Sequence, residues 1–325
     1  MRPSMTARRP GTGLVYLITS GLLWGTGGLT GSLLSRVAGL SAMSVAAGRL
    51  TAGGVLIVIF LTVTGRRRPV GRAAWTRIAV IGVLAALYQS CYFIAVALTS
   101  VALATLVTIG TAPVIVLAVY RVTGRQAGRL APVAACLALA GLGLLVGLPS
   151  GFSQTAVLAS AGMGVLAAAG FAAVTLTSAR PVPGLDDLTV TGFGFTLGGL
   201  ILLPLAAALG GLSFRLGPEA AGLLLALGVG PTAVAYTLYF RGLRRAAATT
   251  ATLLSLLEPL TGAILAAFVL GQRLSATGIA GAATLLAAVV VTVRGSGEAR
   301  PSVPDQPEPD QPEPDQPEPD QLACR

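Results

Sequence analysis

Ten runs of predominantly apolar residues follow one another along this chain of 325 residues, and they constrain the fold more than any other feature. A helix needs about 20 apolar residues to cross the hydrocarbon core of a bilayer. Charged residues make up only 10% of the chain, where roughly 25% is usual in a soluble domain. The chain is therefore predicted to be an all-α membrane protein with ten transmembrane helices. The predicted spans are 14–34, 43–64, 78–98, 101–120, 131–148, 156–178, 188–209, 220–240, 249–270 and 276–293.

The basic residues predict which way the spans point. All 22 are arginines, and they lie mostly in the short segments between apolar runs. With the N-terminus in the cytoplasm, 18 fall inside, Arg36, Arg215 and Arg273 fall outside, and Arg49 falls within a span. Cytoplasmic loops carry an excess of positive charge. This pattern favours a multi-pass protein of the cell membrane with both termini cytoplasmic. We therefore expect the basic residues to interact with the lipid bilayer rather than with nucleic acid.

The composition excludes several kinds of chemistry. The chain has no histidine and no lysine, and its cysteines Cys91, Cys136 and Cys324 form no closely spaced pair. No phosphate-binding glycine loop is present either. We therefore expect no metal site, no cofactor, no nucleotide-driven step and no enzymatic activity.

The chain also contains an internal repeat. Tyr92-Phe93 precedes Pro113 in the first half, and Tyr239-Phe240 precedes Pro259 at nearly the same spacing in the second. Two repeats of five spans must cross the membrane in opposite senses, which is typical of alternating-access carriers. The predicted organisation is a cytoplasmic N-terminal segment 1–13, repeats 14–149 and 150–294, and a solvated cytoplasmic tail 295–325 of PDQPE repeats.

Three segments carry a family resemblance: Leu22-Leu23-Trp24-Gly25, Gly48-Arg49, and the stretch from Tyr239 through Glu258-Pro259 to Leu270-Gly271-Gln272-Arg273. With them, the chain resembles an EamA-domain transporter of the drug/metabolite transporter superfamily. Gln272 stands where family members usually carry an acid, and Ala112-Pro113 lacks the acid of the second repeat. The resemblance implies two inverted EamA repeats and transport of small organic solutes, often outward.

Two charged side chains fall within the predicted spans. An acid near a helix centre costs on the order of 2.5–3.5 kcal/mol on insertion scales, so Glu258 needs a partner or a proton. Glu258 is either a proton-coupling or amine-binding carboxylate, or a packing residue that is protonated or hydrogen-bonded. Arg49 either extends towards the outer interface, pairs with Glu258, or attracts a substrate carboxylate.

Prolines mark two further positions. Pro113 and Pro259 each remove a helical donor, which frees the carbonyls of Ile109 and Ser255. They either kink helices that line a pathway or are ordinary prolines of membrane helices. Glycine pairs such as Gly21 and Gly25 allow close helix contact, although among 42 glycines such spacings also arise by chance.

Polar aromatic residues complete the set of candidates. They either line a cavity near the midplane or serve packing and interfacial roles. The candidates, with one neighbouring amide, are Trp24, Tyr88, Gln89, Tyr92, Tyr236 and Tyr239.

The function indicated by these features is that of a secondary transporter, with export favoured, for small organic metabolites such as amino acids or drugs. Protons are the candidate coupling ion, and Glu258 is the candidate carrier of the proton. An uncoupled facilitator or channel and a membrane sensor or scaffold are the alternatives.

Overall fold

A computed structural model describes residues 11–66, 68–147, 151–210, 217–269, 271 and 275–296, and this part of the chain is built from helices. The first repeat contains α1 (Gly11–Ala38), α2 (Ala42–Val63), α3 (Arg72–Leu98), α4 (Val101–Val122) and α5 (Ala131–Val146). The second contains α6 (Gln154–Ser178), α7 (Asp187–Gly210), α8 (Pro218–Gly228), a π-helical turn (Val229–Val234), α9 (Ala235–Leu243), α10 (Ala248–Leu254), α11 (Leu257–Val269) and α12 (Ala276–Gly295). The PDQPE tail lies outside the described residues.

Serine caps set where several of these helices begin. The hydroxyls of Ser41, Ser100, Ser153 and Ser275 each accept a hydrogen bond from the backbone N–H three residues further on. Such caps satisfy donors that have no partner within the helix. At Ser100 the cap separates α3 from α4 across only two residues, in agreement with the predicted spans 78–98 and 101–120.

Within the described residues, eight helical segments are long and apolar enough to cross a membrane by length and composition, where α8 to α9 (Pro218–Leu243) and α10 to α11 (Ala248–Val269) each count as one. Each of the ten predicted spans coincides with helical structure, but α5 is shorter, at 16 residues, and α1 falls outside the eight although it has 28 residues. Glycines throughout α1 lower its hydropathy. The structure therefore supports a multi-pass membrane protein without by itself establishing ten crossings.

Equivalent helices of the two repeats make equivalent packing contacts. The corresponding helices α2 and α7 pack against each other, and so do α5 and α12. The contact of α3 with α6 is matched by that of α9 with α1. Likewise, α4 packs on α6 as α11 packs on α1. This exchange of partners is the contact pattern expected of two halves related by a pseudo-two-fold axis.

Close backbone approach holds the halves together. A Cβ on Gly54 of α2 would lie 2.6 Å from Thr196 Oγ1 of α7, and one on Gly199 of α7 would meet Thr51 of α2. Residues without a side chain let such helices touch along their backbones. The α2–α7 pair is therefore a tightly packed seam between the two repeats.

The second repeat contains two interruptions that the first repeat lacks. A π-helical turn that includes Pro231 separates α8 from α9, and residues 255–256 separate α10 from α11 just before Pro259. Pro113, in contrast, lies within the continuous helix α4. The Ser255 carbonyl, expected to be without a donor, accepts from the backbone N–H of Glu258 at 2.9 Å.

Candidate functional site

A small cavity lies between the repeats near the middle of the bundle. Glu258 is ten residues from the start of α10, about 15 Å along the helical rise, and thus close to the middle of its span. Each repeat contributes four of the lining residues. They are Trp24, Tyr88, Thr108 and Ile109 from the first repeat, and Phe171, Tyr236, Ser255 and Glu258 from the second.

Six of these eight residues form pairs that are 146 to 148 positions apart in the sequence, which is the offset between the two repeats. The pairs are Trp24 with Phe171, Tyr88 with Tyr236, and Ile109 with Ser255. The cavity therefore lies where the pseudo-two-fold axis brings equivalent helices together. Glu258 breaks this symmetry, because its counterpart at the same offset is Ala112.

Glu258 is positioned by close contact between α1 and the interruption before α11. A Cβ on Gly21 would lie 2.8 Å from the Leu254 carbonyl oxygen, and one on Gly25 would lie 2.9 Å from the Glu258 carbonyl oxygen. These glycines allow α1 to lie directly against the turn that carries the carboxylate. Gly21 and Gly25, a weak signal in the sequence, thus belong to the supporting structure of the site.

Arg49 lies next to the cavity without pairing with Glu258. The two side chains interact electrostatically, but no guanidinium nitrogen comes within 4.0 Å of the carboxylate, since the ion pairs between described residues are Arg66–Asp186 and Arg244–Asp187. Arg49 Nη1 lies near Gly27 of α1, 3.8 Å from the place that a Cβ there would take. Arg49 Nε is buried and has no hydrogen-bond partner.

Trp24 is the centre of the aromatic cluster around the cavity. Its ring lies 4.8 Å from that of Tyr236, 4.9 Å from Tyr239 and 5.9 Å from Phe171, between ring centroids. The side chain is buried, yet its indole N–H has no hydrogen-bond partner. Buried indole N–H groups usually find an acceptor, so this donor is available to a ligand in the cavity.

The remaining candidates from the sequence do not line this cavity. The Tyr92 hydroxyl bonds to Thr105 Oγ1 at 2.8 Å, and the Tyr239 hydroxyl bonds to Thr175 Oγ1 at 2.9 Å. Gln89 is buried on α3. Tyr92, Tyr239 and Gln89 therefore surround the site rather than face it, while Trp24, Tyr88, Tyr236 and Glu258 line it.

Four lining residues were absent from the candidates drawn from the sequence. Ile109 and Ser255 each precede a proline by four positions, so the sequence predicts that their carbonyls lack a helical donor. Phe171 is found by adding the repeat offset to Trp24. Only Thr108 carries no such signal, since a threonine in an apolar run is ordinary.

Comparisons with known proteins agree with this architecture. Residues 11–147 and 158–294 each match the EamA-like transporter family. The chain is 31% identical over 285 residues to the uncharacterized transporter YwfM of Bacillus subtilis, covering 85% of this chain and 92% of the relative. It is 26% identical over 286 residues to the uncharacterized inner membrane transporter YicL of Salmonella typhimurium, covering 86% and 94%. A solved crystal structure shares the fold with a TM-score of 0.73 at 22% identity, covering 88% of this chain and 99% of that one.

The fold and the shared cavity define a multi-pass membrane protein built from two repeats of one helical unit. The two family matches span most of the chain, and YwfM is similar over nearly its full length. The chain therefore belongs to the EamA-like transporter family, within the drug/metabolite transporter superfamily, and is a membrane transporter of the EamA type.

Proposed function

We propose that the chain is a secondary carrier that moves small organic solutes by alternating access through the central cavity. The observation that carries this proposal is the equal contribution of both repeats to the cavity walls. In an inverted-repeat carrier, exchange of the conformations of two similar halves exposes such a shared site to either side.

The charges around the cavity favour a zwitterionic solute such as an amino acid. Glu258 lines the cavity and offers a carboxylate to an ammonium group. Arg49 Nε and Trp24 Nε1 are buried donors without partners, and both suit a substrate carboxylate. Because Arg49 and Glu258 do not pair with each other, both remain available to bind the two ends of one solute.

Four aromatic rings supply the apolar part of the site. Trp24, Tyr88, Phe171 and Tyr236 line the same cavity as Glu258. Aromatic faces attract ammonium groups as well as flat apolar groups. This lining supports a substrate that carries its amine next to an apolar or aromatic side chain, which also accommodates amine-bearing drugs.

We further propose outward transport driven by proton exchange, with Glu258 as the group that binds either a proton or the substrate amine. Glu258 is the single acid among the residues that line the cavity, which supports this coupling because binding of one cation excludes the other. An uncoupled facilitator is the second candidate, and it predicts flux that survives collapse of the proton gradient.

The proposed topology has ten spans and both termini in the cytoplasm, with repeats 14–149 and 150–294. It treats α1 and α5 as crossings in addition to the eight apolar helices. Impermeant maleimide labelling in a cysteine-free background tests it. We expect Ser153→Cys to react in intact cells and Arg125→Cys to react only after permeabilisation. Reaction of both from outside would contradict this topology.

Exchange in proteoliposomes tests the transport proposal. Vesicles are loaded with pooled amino acids, their amides, their des-amino analogues and amine drugs, and exchange is followed by mass spectrometry. We expect Arg49→Gln to impair exchange of amino acids but not of their amides. We expect Glu258→Gln to abolish exchange of amine-bearing solutes and their accumulation driven by a proton gradient.

Matched controls are available elsewhere on the chain. Glu219 and Arg36 are exposed charged residues, so Glu219→Gln and Arg36→Gln make the same chemical changes away from the cavity. Both should exchange solutes like the wild type. Absence of exchange from every pool by folded protein would refute the carrier proposal, and accumulation that persists in Glu258→Gln would refute proton coupling through this residue.

A further inference from the structure

A second, partly open cavity lies at the end of the bundle that carries most of the arginines. Arg77 of α3, Arg180 after α6 and Arg244 after α9 contribute to its walls, together with Asp187 at the start of α7. This arginine cavity, lined by Arg77, Arg180, Arg244, Asp187 and Ser178, is separate from the central one, and the two have no lining residue in common.

Positive charge exceeds negative charge in the arginine cavity. Arg244 Nε lies 2.6 Å from Asp187 Oδ1, so one guanidinium is paired with the one carboxylate of the lining. Arg77 donates to the carbonyls of Thr177 and Arg180, and the charges that act on it are those of Arg180 and Arg244. Three like charges around one partly enclosed space repel each other, and a bound anion would relieve this repulsion.

A buried hydroxyl provides independent support for a ligand. Ser178 lines the arginine cavity, is only 8% exposed, and its Oγ has no hydrogen-bond partner. Buried polar groups are almost always hydrogen-bonded, so an unpartnered hydroxyl calls for an explanation. Beside three arginines, the ligand that suits it best is an oxyanion.

The equivalent positions of the other repeat carry no such charges. At the repeat offset of 147 residues, Leu40 stands in place of Asp187, Leu224 in place of Arg77, and Leu33 in place of Arg180. Leu40 and Leu224 belong to an apolar cluster that fills the corresponding place at the opposite end of the bundle. The opposite end of the bundle is therefore apolar at the positions equivalent to Arg77, Arg180 and Asp187.

We propose that the arginine cavity binds an oxyanion of the phosphate type, held by Arg77, Arg180 and Arg244 and by the Ser178 hydroxyl. Arginine presents a planar fork of donors that matches phosphate, and basic pockets between membrane helices bind phosphorylated headgroups. The same chemistry is offered by free inorganic phosphate and by the phosphodiester of an anionic lipid. This binding is independent of the transport proposal, because it is measured without solute exchange.

The test uses the full-length protein in nanodiscs. In phosphatidylcholine discs, the thermal unfolding midpoint is followed against inorganic phosphate, with chloride adjusted to constant ionic strength. Discs that contain phosphatidylglycerol provide the lipid arm. The variants are Arg180→Gln, whose exposed side chain makes it safe for folding, and Asp187→Asn, which removes the competing carboxylate. The control is Arg121→Gln, an exposed arginine at the same end of the bundle.

We expect Arg180→Gln to weaken the response to phosphate or to anionic lipid about tenfold, as for loss of one charged hydrogen bond. Asp187→Asn should strengthen it several-fold, an effect that loss of a purely structural ion pair would not produce. A response to phosphate in phosphatidylcholine discs assigns the site to a free anion, and a response only to phosphatidylglycerol assigns it to a headgroup. Equal responses of wild type, Arg180→Gln and Arg121→Gln in both arms would overturn the proposal.

Discussion

Replacement of Gly25 by alanine should separate α1 from the turn that carries Glu258. A Cβ at residue 25 would lie 2.8 Å from Thr261 Cγ2 and 2.9 Å from the Glu258 carbonyl oxygen, and closer still to Thr261 Cβ. Ordinary contacts between such atoms are near 3.5–4.0 Å, so the helices must move apart by about 1 Å. Overpacking of this kind typically costs about 1–3 kcal/mol.

Gly28 provides the matched control on the same helix. It is exposed, and a Cβ there would meet no atom within 4 Å. Gly28→Ala should therefore be neutral or stabilise the fold by up to about 1 kcal/mol through helix propensity. Reversible unfolding in mixed micelles of dodecyl maltoside and SDS measures both free energies, and proteoliposome exchange reports whether displacement of Glu258 impairs the site.

A compensating change strengthens the test. Thr261→Gly removes the two side-chain atoms that the new methyl group would meet, while the contact with the Glu258 carbonyl remains. In the Thr261→Gly background, Gly25→Ala should therefore lower the free energy of unfolding by less than it does in the wild type. If Gly25→Ala and Gly28→Ala unfold with free energies within about 0.5 kcal/mol of each other, the packing argument for this interface is wrong.

Three further predictions concern stability and the tail. Thr175→Val should lower the free energy of unfolding by about 1–3 kcal/mol, because it leaves the buried Tyr239 hydroxyl without a hydrogen-bond partner. Tyr239→Phe should lower it by only about 0.5–1.5 kcal/mol, because the Thr175 hydroxyl still donates to the Phe171 carbonyl. Unfolding in mixed micelles measures both free energies. Ser100→Ala should lower the free energy of unfolding by about 0.5–2 kcal/mol, because α4 loses its N-cap. Ser32→Ala, on an exposed surface, should change it by no more than about 0.5 kcal/mol in the same assay. Equal effects of the two substitutions would contradict the capping role of Ser100. Truncation after Ser296 should leave solute exchange unchanged, because residues 304–321 contain no apolar side chain to pack; loss of exchange would show a role for the tail.

The sequence predicts positions along the chain better than it predicts the sides to which residues face. Apolar runs locate the helices because hydrocarbon requires long apolar segments. The same runs do not show that Tyr236 faces the cavity while Tyr239, three residues later, turns to Thr175, since both are equally suited to a buried aromatic site. Arg49 shows the same limit. Its place within a span is evident, but its position near Glu258 without an ion pair depends on how α1 and α2 pack.

Helix interruptions follow from backbone hydrogen bonding and are therefore only partly visible in a hydropathy pattern. Pro259 pointed to a disturbance, and the structure places a break just before it. Pro113 is equivalent in the repeat but lies within a continuous helix, so proline alone does not decide. Pro231, within the predicted span 220–240, coincides with the π-helical turn, and a proline inside an apolar run is the one signal in the sequence for that turn.

The asymmetry between the two repeats suggests where motion is concentrated during the proposed cycle. Two equivalent halves that exchange conformations need not deform equally, because helices bend most easily where their hydrogen-bond ladder is already broken. In the second repeat the ladder is interrupted on both sides of the cavity, at 229–234 and at 255–256, whereas the equivalent helices α3 and α4 are continuous. Glu258 lies two residues from one of these interruptions and lines the cavity. In the proposed cycle, a proton or an amine bound at Glu258 would act next to this interruption, and the charge state of Glu258 would be coupled to bending between α10 and α11.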